Sequence, residues 1–172
     1  MRSCFLPFMN LHMYTNIVLP LPKIIGIISS GNAHSKLVEN LKNAGIYLLV
    51  NNYKNTTRNT ECLVDFCTYY PYSKSINILN ILKFNSSIIH EFSHTWLIDD
   101  DLIIHPSSNI HLFLKTVYMQ DYIISSPILP NSWYMNLHDS NCHVQQTNFV
   151  EIQAPIIKTK YLFRIFNRLY NI

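Results

Sequence analysis

The stretch His90-Glu91-Phe92-Ser93-His94 has the spacing of a zinc-hydrolase motif, two imidazoles with a carboxylate between them. On one helical turn such residues grip a metal while the glutamate activates its bound water. Shortly after, Asp99-Asp100-Asp101 offers a different chemistry. Hard carboxylate oxygens at that spacing suit Mg²⁺ or Mn²⁺ held against a nucleotide diphosphate. The ion would neutralise charge on a departing nucleotide. The first motif points to hydrolysis and the second to glycosyl transfer.

A zinc site needs a helix through both histidines and a third protein ligand. The extended form of the motif wants glycine and histidine where this chain has Leu97 and Asp100. The segment after Pro106 supplies no carboxylate before Asp121. Thr95-Trp96-Leu97-Ile98 favours a strand directly after His94, so a helix would end where the second ligand must be held. A zinc hydrolase using His90, Glu91 and His94 is therefore set behind the triplet, and His94 is expected near a helix C-terminus, where the dipole favours a cation. The three aspartates follow an apolar strand and precede Leu102-Ile103-Ile104. Crowded carboxylates need a cation or hydrogen bonds to offset their repulsion. On an extended chain Asp99 and Asp101 would point to one side and Asp100 to the other.

Elements that could position the triplet alternate along the chain. Lys23–Ser29 predicts a buried strand, and Asn32 can cap a helix to about Asn43 with Leu37, Val38 and Leu41 on one face. Gly45 ends that helix, Ile46–Asn51 predicts a second strand, and Leu63–Tyr69 a shorter third. Ser73–Phe92 has near-helical spacing interrupted at Asn85-Ser86-Ser87, giving one helix or two with a break. His94–Ile98 predicts the strand that empties into the aspartates. Pro106 suits the first turn of a helix with Ile110, Leu112, Phe113 and Val117 on its apolar face. Further strands are expected at Asp121–Ser126 and Asn148–Ala154, and an amphipathic helix at Tyr161–Leu169. This alternation predicts an α/β fold, a mostly parallel sheet with helices on both faces. Ligands then bind beyond the carboxyl ends of the strands, where the aspartates sit.

Composition narrows the field. With 172 residues, 48% hydrophobic and 13% charged, the chain supports one domain with a real core and is neither a disordered tail nor a charged arm. Its 3 glycines exclude a Gly-rich phosphate loop of the P-loop or dinucleotide kind. Lys158, Lys160, Arg164 and Arg168 interleave with apolar residues as the wet face of a helix would, so no nucleic-acid partner is expected. The 4 cysteines lack zinc-finger spacing and are expected to be free buried thiols. Asn55 and Asn85 head glycosylation sequons. Residues 1–22 are apolar but broken by polar residues and prolines, an irregular lead-in with neither a transmembrane segment nor a clean signal peptide.

A larger pattern links four segments. These are Glu91–Trp96, Trp96-Leu97-Ile98-Asp99-Asp100-Asp101-Leu102, Ile123-Ile124-Ser125-Ser126-Pro127, and Phe149-Val150-Glu151-Ile152-Gln153-Ala154-Pro155. In order and spacing they resemble the plant-centred family known as domain of unknown function 707, whose members look like glycosyltransferases of the GT-A type. The resemblance runs from about Lys23 to the C-terminus and implies a GT-A-like domain over residues 23–172. It implies Asp99 and Asp101 as nucleotide-sugar and metal contacts, with Asp100 as a supporting carboxylate and Mn²⁺ or Mg²⁺ as the ion. Glu151 would contact the acceptor or act as general base; read alone it is equally an ordinary strand-end glutamate. His143, Lys158 and Arg164 are weaker candidates for phosphate. The partners implied are a nucleotide-sugar donor and an unknown acceptor, in the secretory pathway or the cytoplasm. Two departures stand out. The family's "K-W-W" segment is replaced near Ile78-Leu79-Asn80, and the chain ends at Ile172 before a "D-L-x-x-G-W-G-L-D" type segment. The expectation is a domain truncated at its C-terminus, with an inactive fragment or binding remnant as the alternative.

Overall fold

The computed structural model describes residues 3–5, 23–31, 36–54, 64–105, 108–127, 144–146 and 153–170. Its elements run β1 (Ser3–Phe5), β2 (Ile24–Ser30), α1 (Lys36–Asn43), β3 (Tyr47–Asn52), β4 (Phe66–Thr68), α2 (Lys74–Phe84), α3 (Ser86–Ile89), β5 (His94–Ile98), α4 (Ile110–Met119), β6 (Ile124–Ser125), β7 (Val144–Gln146), β8 (Ile156–Lys158) and α5 (Thr159–Tyr170). Six strands form one sheet in the order β4-β3-β2-β5-β8-β6, while β1 and β7 pair separately. β2 is parallel to both β3 and β5, and β3 is parallel to β4. β8 runs antiparallel between β5 and β6. The α/β class and the mostly parallel sheet are as the alternation predicts.

Side-chain alternation divides the core into two layers. Ile24 and Ile28 of β2, Leu48 and Val50 of β3, and Trp96 and Ile98 of β5 face α1 and α4. Ile25, Ile27, Leu49 and Leu97 point the other way, onto α2, α3 and α5. Helices therefore cover both faces. Gly26 sits on the first layer, where an added Cβ would lie 2.9 Å from Leu48 Cδ2 and 3.3 Å from Ile98 Cδ1. Gly45 has φ +75°, the left-handed turn that stops α1 and starts β3.

The winding order fixes where a ligand could sit. From β2 the chain moves outward to β3 and β4, then returns to lay β5 on the opposite side of β2. In open α/β sheets ligands usually sit beyond the carboxyl ends of the strands where the winding reverses, here β2 and β5.

Several expectations need correction. Asn109, not Pro106, caps α4: its side chain accepts the Leu112 amide at 2.9 Å, and Pro106 lies outside the described residues. The buried face of α4 uses Leu114 and Val117 with Ile110 and Phe113, while Leu112 is exposed, because i, i+3, i+4, i+7 spacing excludes it. The strand expected at Asn148–Ala154 lies largely outside the described residues, and the strand that is present, β8, begins at Ile156. Cys67 is disulfide-bonded, not a free thiol. No helix among the described residues is long and apolar enough to cross a membrane.

Candidate functional site

β5 carries the triplet to that end of the sheet. Its five residues are all buried, and the chain leaves the sheet at Asp99. The Asp99 amide still donates to Gln153 O at 2.9 Å, so the segment before β8 runs beside the acidic residues. Leu102 N then donates to Asp99 O at 3.4 Å, closing a turn over Asp100 and Asp101. The triplet is thus a turn, which corrects the extended-chain picture of two aspartates on one side and one on the other. Asp99 is partly buried, its side chain 23% exposed, while Asp100 and Asp101 face solvent. Glu151, the candidate base, lies outside the described residues, as does His143.

Lys74, the first residue of α2, reaches across to this turn and pairs with Asp99 Oδ1. That oxygen is buried, and the ammonium is its only partner among the described residues. Partial burial pulls the Lys74 ammonium below its usual pKa, opposed by the attraction of Asp101 and then Asp100. Sequence reasoning missed this residue. A lysine at the first position of a helix opposes the macrodipole, so it signals a nearby anion. No acidic residue sits in that first turn to provide one locally, and the partner comes from another strand.

Two buried asparagines fix the segment that delivers Lys74. Asn51, at the end of β3, holds both backbone groups of Tyr70: Oδ1 accepts Tyr70 N at 2.7 Å and Nδ2 donates to Tyr70 O at 3.1 Å. Asn77 does the same for Tyr72, accepting its amide at 3.1 Å and donating to its carbonyl at 2.8 Å. Ser29 Oγ of β2 accepts from both side chains, at 3.4 Å from Asn51 and 3.1 Å from Asn77. Thr68 Oγ1 donates to Asn51 Oδ1 at 2.9 Å. Both asparagines are fully buried. The loop into α2 is therefore tied to the carboxyl ends of β2, β3 and β4. Lys54 adds a second cation at this end, its Nζ 3.1 Å from where a Cβ on Gly31 would stand.

The His90–His94 segment lies at the opposite end of β5 and does not form one helical face. α3 ends at Ile89, His90 follows it, and His94 is the first residue of the strand. His90 stacks on Phe163 with ring centroids 4.2 Å apart, and Glu91 pairs with Lys23 at 3.5 Å. His94 is the buried first residue of β5, not a residue at a helix C-terminus. Among the described residues no group of three or more His, Cys, Asp or Glu side chains could hold a metal. Lys158 pairs with Asp121 beside His94, far along the antiparallel register from Asp99, and Arg164 lies over the Tyr161 ring at 5.7 Å. Neither is aimed at the acidic turn.

His94 is expected to make folding sensitive to acid. Ser93 Oγ lies 3.0 Å from Nδ1 and 3.2 Å from Lys23 O, so with Ser93 donating to that carbonyl, Nδ1–H donates to Ser93. Nε2 is buried and has no hydrogen-bond partner. Burial and then the Lys158 ammonium hold the imidazole below its usual pKa, against an upward pull from Asp121. The unfolded chain therefore binds this proton more readily than the folded one. The stability from neutral His94 is complete above the ordinary histidine value of about 6.5 and drains as pH falls below it. Urea unfolding midpoints at pH 7.5 and 5.0 should differ more in the wild type than in His94→Leu; equal differences would assign the acid response to other groups.

No family model, no curated protein and no solved structure matches the chain.

Proposed function

We propose that this chain is a GT-A-like glycosyltransferase domain, akin to the family it resembles, taking a nucleotide-activated sugar beyond the carboxyl ends of β2 and β5. The sugar would pass to an unknown acceptor. One observation carries the reading: the acidic turn stands at the carboxyl end of β5, where the winding of the sheet reverses.

Among the described residues no three such side chains gather to hold a metal, so an ion here would draw most of its ligands from water and the diphosphate. Among the described residues the turn's three carboxylates are met by one paired ammonium, that of Lys74 at Asp99 Oδ1, leaving a surplus of negative charge. Oxygen donors on a solvent-facing turn suit Mn²⁺ or Mg²⁺, which keep several waters and share ligands with a diphosphate. Asp99 and Asp101 would be the protein ligands, with Asp100 alongside. Bound there, the ion supplies Lewis acidity toward the leaving diphosphate. The chain's own groups would do the rest. Lys74 would offer its ammonium to a phosphate oxygen, and the Asn51 and Asn77 clamps would keep it from drifting. Glu151 is the acceptor contact or base that the resemblance implies. The disulfide at Cys67 favours the secretory pathway over the cytoplasm.

A second reading, an inactive remnant, is favoured by the same Lys74–Asp99 pair, since a carboxylate already neutralised has less need of a metal. Calorimetric titration of UDP and GDP in the presence of Mn²⁺ separates the two. A transferase site binds at least one of them, and Asp101→Asn weakens that binding roughly tenfold or more, as loss of a metal contact should. Absence of binding to either nucleotide would leave the remnant.

A further inference from the structure

The sequon Asn85-Ser86-Ser87 is a motif that the transferase reading leaves unused. Resting on the secretory placement of that reading, we infer that Asn85 is an N-glycosylation site. The co-substrate is an oligosaccharide carried on a lipid diphosphate and delivered by a transferase of the secretory membrane. C1 of the sugar bonds to Asn85 Nδ2, the C1–O bond to the diphosphate breaks, and the amide nitrogen gives up one proton to solvent. Nothing is oxidised or reduced, and the side-chain carbonyl is unchanged.

The fold puts this asparagine where a bulky sugar can be carried. α2 ends at Phe84 and α3 begins at Ser86, so Asn85 is the break between them, with φ −118° and ψ 19°. It holds the N-cap position of α3, yet its side chain makes no cap hydrogen bond, and its buried Oδ1 has no partner. Substitution at Nδ2 therefore breaks no cap. Asn85 is half-buried, while Ser87, whose hydroxyl completes the sequon, is exposed, as are Lys83 and Phe84. Direction matters as well. α2 runs from Lys74, at the acidic turn, back towards the amino end of β5, and Asn85 follows after about 16 Å of helix rise. A sugar there stands away from the carboxyl ends of β2 and β5 and leaves the proposed donor position open. The Cys67 disulfide is an independent sign of the oxidising compartment in which such sugars are added. Asn55, which heads the other sequon, lies outside the described residues.

The test expresses the full chain behind a cleavable secretory signal in cultured eukaryotic cells. Chains freed of the signal are digested with a peptide N-glycosidase, which leaves aspartate wherever an asparagine carried a sugar, and are then read by peptide mass spectrometry. Conversion to aspartate is expected at Asn85. In Ser87→Ala that conversion should be lost while the chain still folds, because only an exposed hydroxyl is removed. Ser87→Thr keeps the sequon and should keep the conversion. Signal-free chains whose Asn85 is unconverted overturn the inference, and so does conversion at Asn55 alone. Conversion that persists in Ser87→Ala is deamidation and overturns it too. The result separates from the transferase reading. A sugar at Asn85 with no binding of UDP or GDP in the presence of Mn²⁺ leaves the modification site and removes the transferase. Nucleotide binding with Asn85 unconverted does the reverse.

Discussion

Replacing Asn51 by Leu is expected to cost about 3–5 kcal/mol of folding stability, although the two side chains are similar in size. The loss comes from what is left behind. Asn51 satisfies the Tyr70 amide and carbonyl, receives the Thr68 hydroxyl and donates to Ser29. Each partner stranded in a partly dry site costs about 1–3 kcal/mol, and some will recover part of it from water. In a chain of this length each kcal/mol moves the melting temperature by about 2–4 °C, so the transition should fall by roughly 10 °C. Urea unfolding followed by circular dichroism gives the free energy. A loss below about 1 kcal/mol would mean that water re-satisfies Tyr70 and that the clamp does not order the loop. The functional consequence follows from the chain path. Tyr70 precedes Lys74 by one short turn, so a freed loop loosens the only ammonium paired with the acidic turn among the described residues.

Much of this architecture is legible locally. In His94–Ile98 the aliphatic and aromatic run sets the strand, and β5 has those bounds. Leu37, Val38 and Leu41 share one helical face by spacing alone, and all three are buried. The break between α2 and α3 falls at Asn85, within the polar interruption of the pattern. The site is less legible because its contacts span long stretches of chain. Asn77 meets Ser29 across 48 residues, and Asn51 meets Ser29 across 22. Nothing in the neighbourhood of any of these residues announces that pairing. The acidic triplet could be located but not shaped. Period-two reasoning treats it as a continuing strand, whereas the sheet ends at Ile98 and the backbone folds into a turn that brings Lys74 within reach of all three carboxylates. His94 fails for a related reason. Its motif spacing assumes a helix, but the strand propensity of the residues that follow extends back to include it.

Trp96→Ala should be comparably damaging, about 3–5 kcal/mol, by a different mechanism. The ring is 6% exposed, lies against Phe113 at 5.6 Å between centroids, and donates Nε1–H to Ala154 O at 3.0 Å. Truncation opens a cavity between β5 and α4 and strands a carbonyl. Trp96→Phe keeps most of the volume and removes the hydrogen bond, so it should cost only about 1–2 kcal/mol. The seam between β5 and the segment before β8 depends on this residue. Leu97 N donates to Pro155 O and Asp99 N to Gln153 O, both at 2.9 Å, on either side of the indole's bond to Ala154. Amide hydrogen exchange at Leu97 and Asp99 reads that seam directly. Both amides should lose protection in Trp96→Ala and keep most of it in Trp96→Phe. Protection that survives in Trp96→Ala would mean the backbone pairs hold without the indole, and the stability loss would then belong to the α4 face alone. The distinction bears on the site, because the Asp99–Gln153 bond anchors the acidic turn at its first residue. A turn released there would present its carboxylates to Lys74 and to any metal in many geometries instead of one.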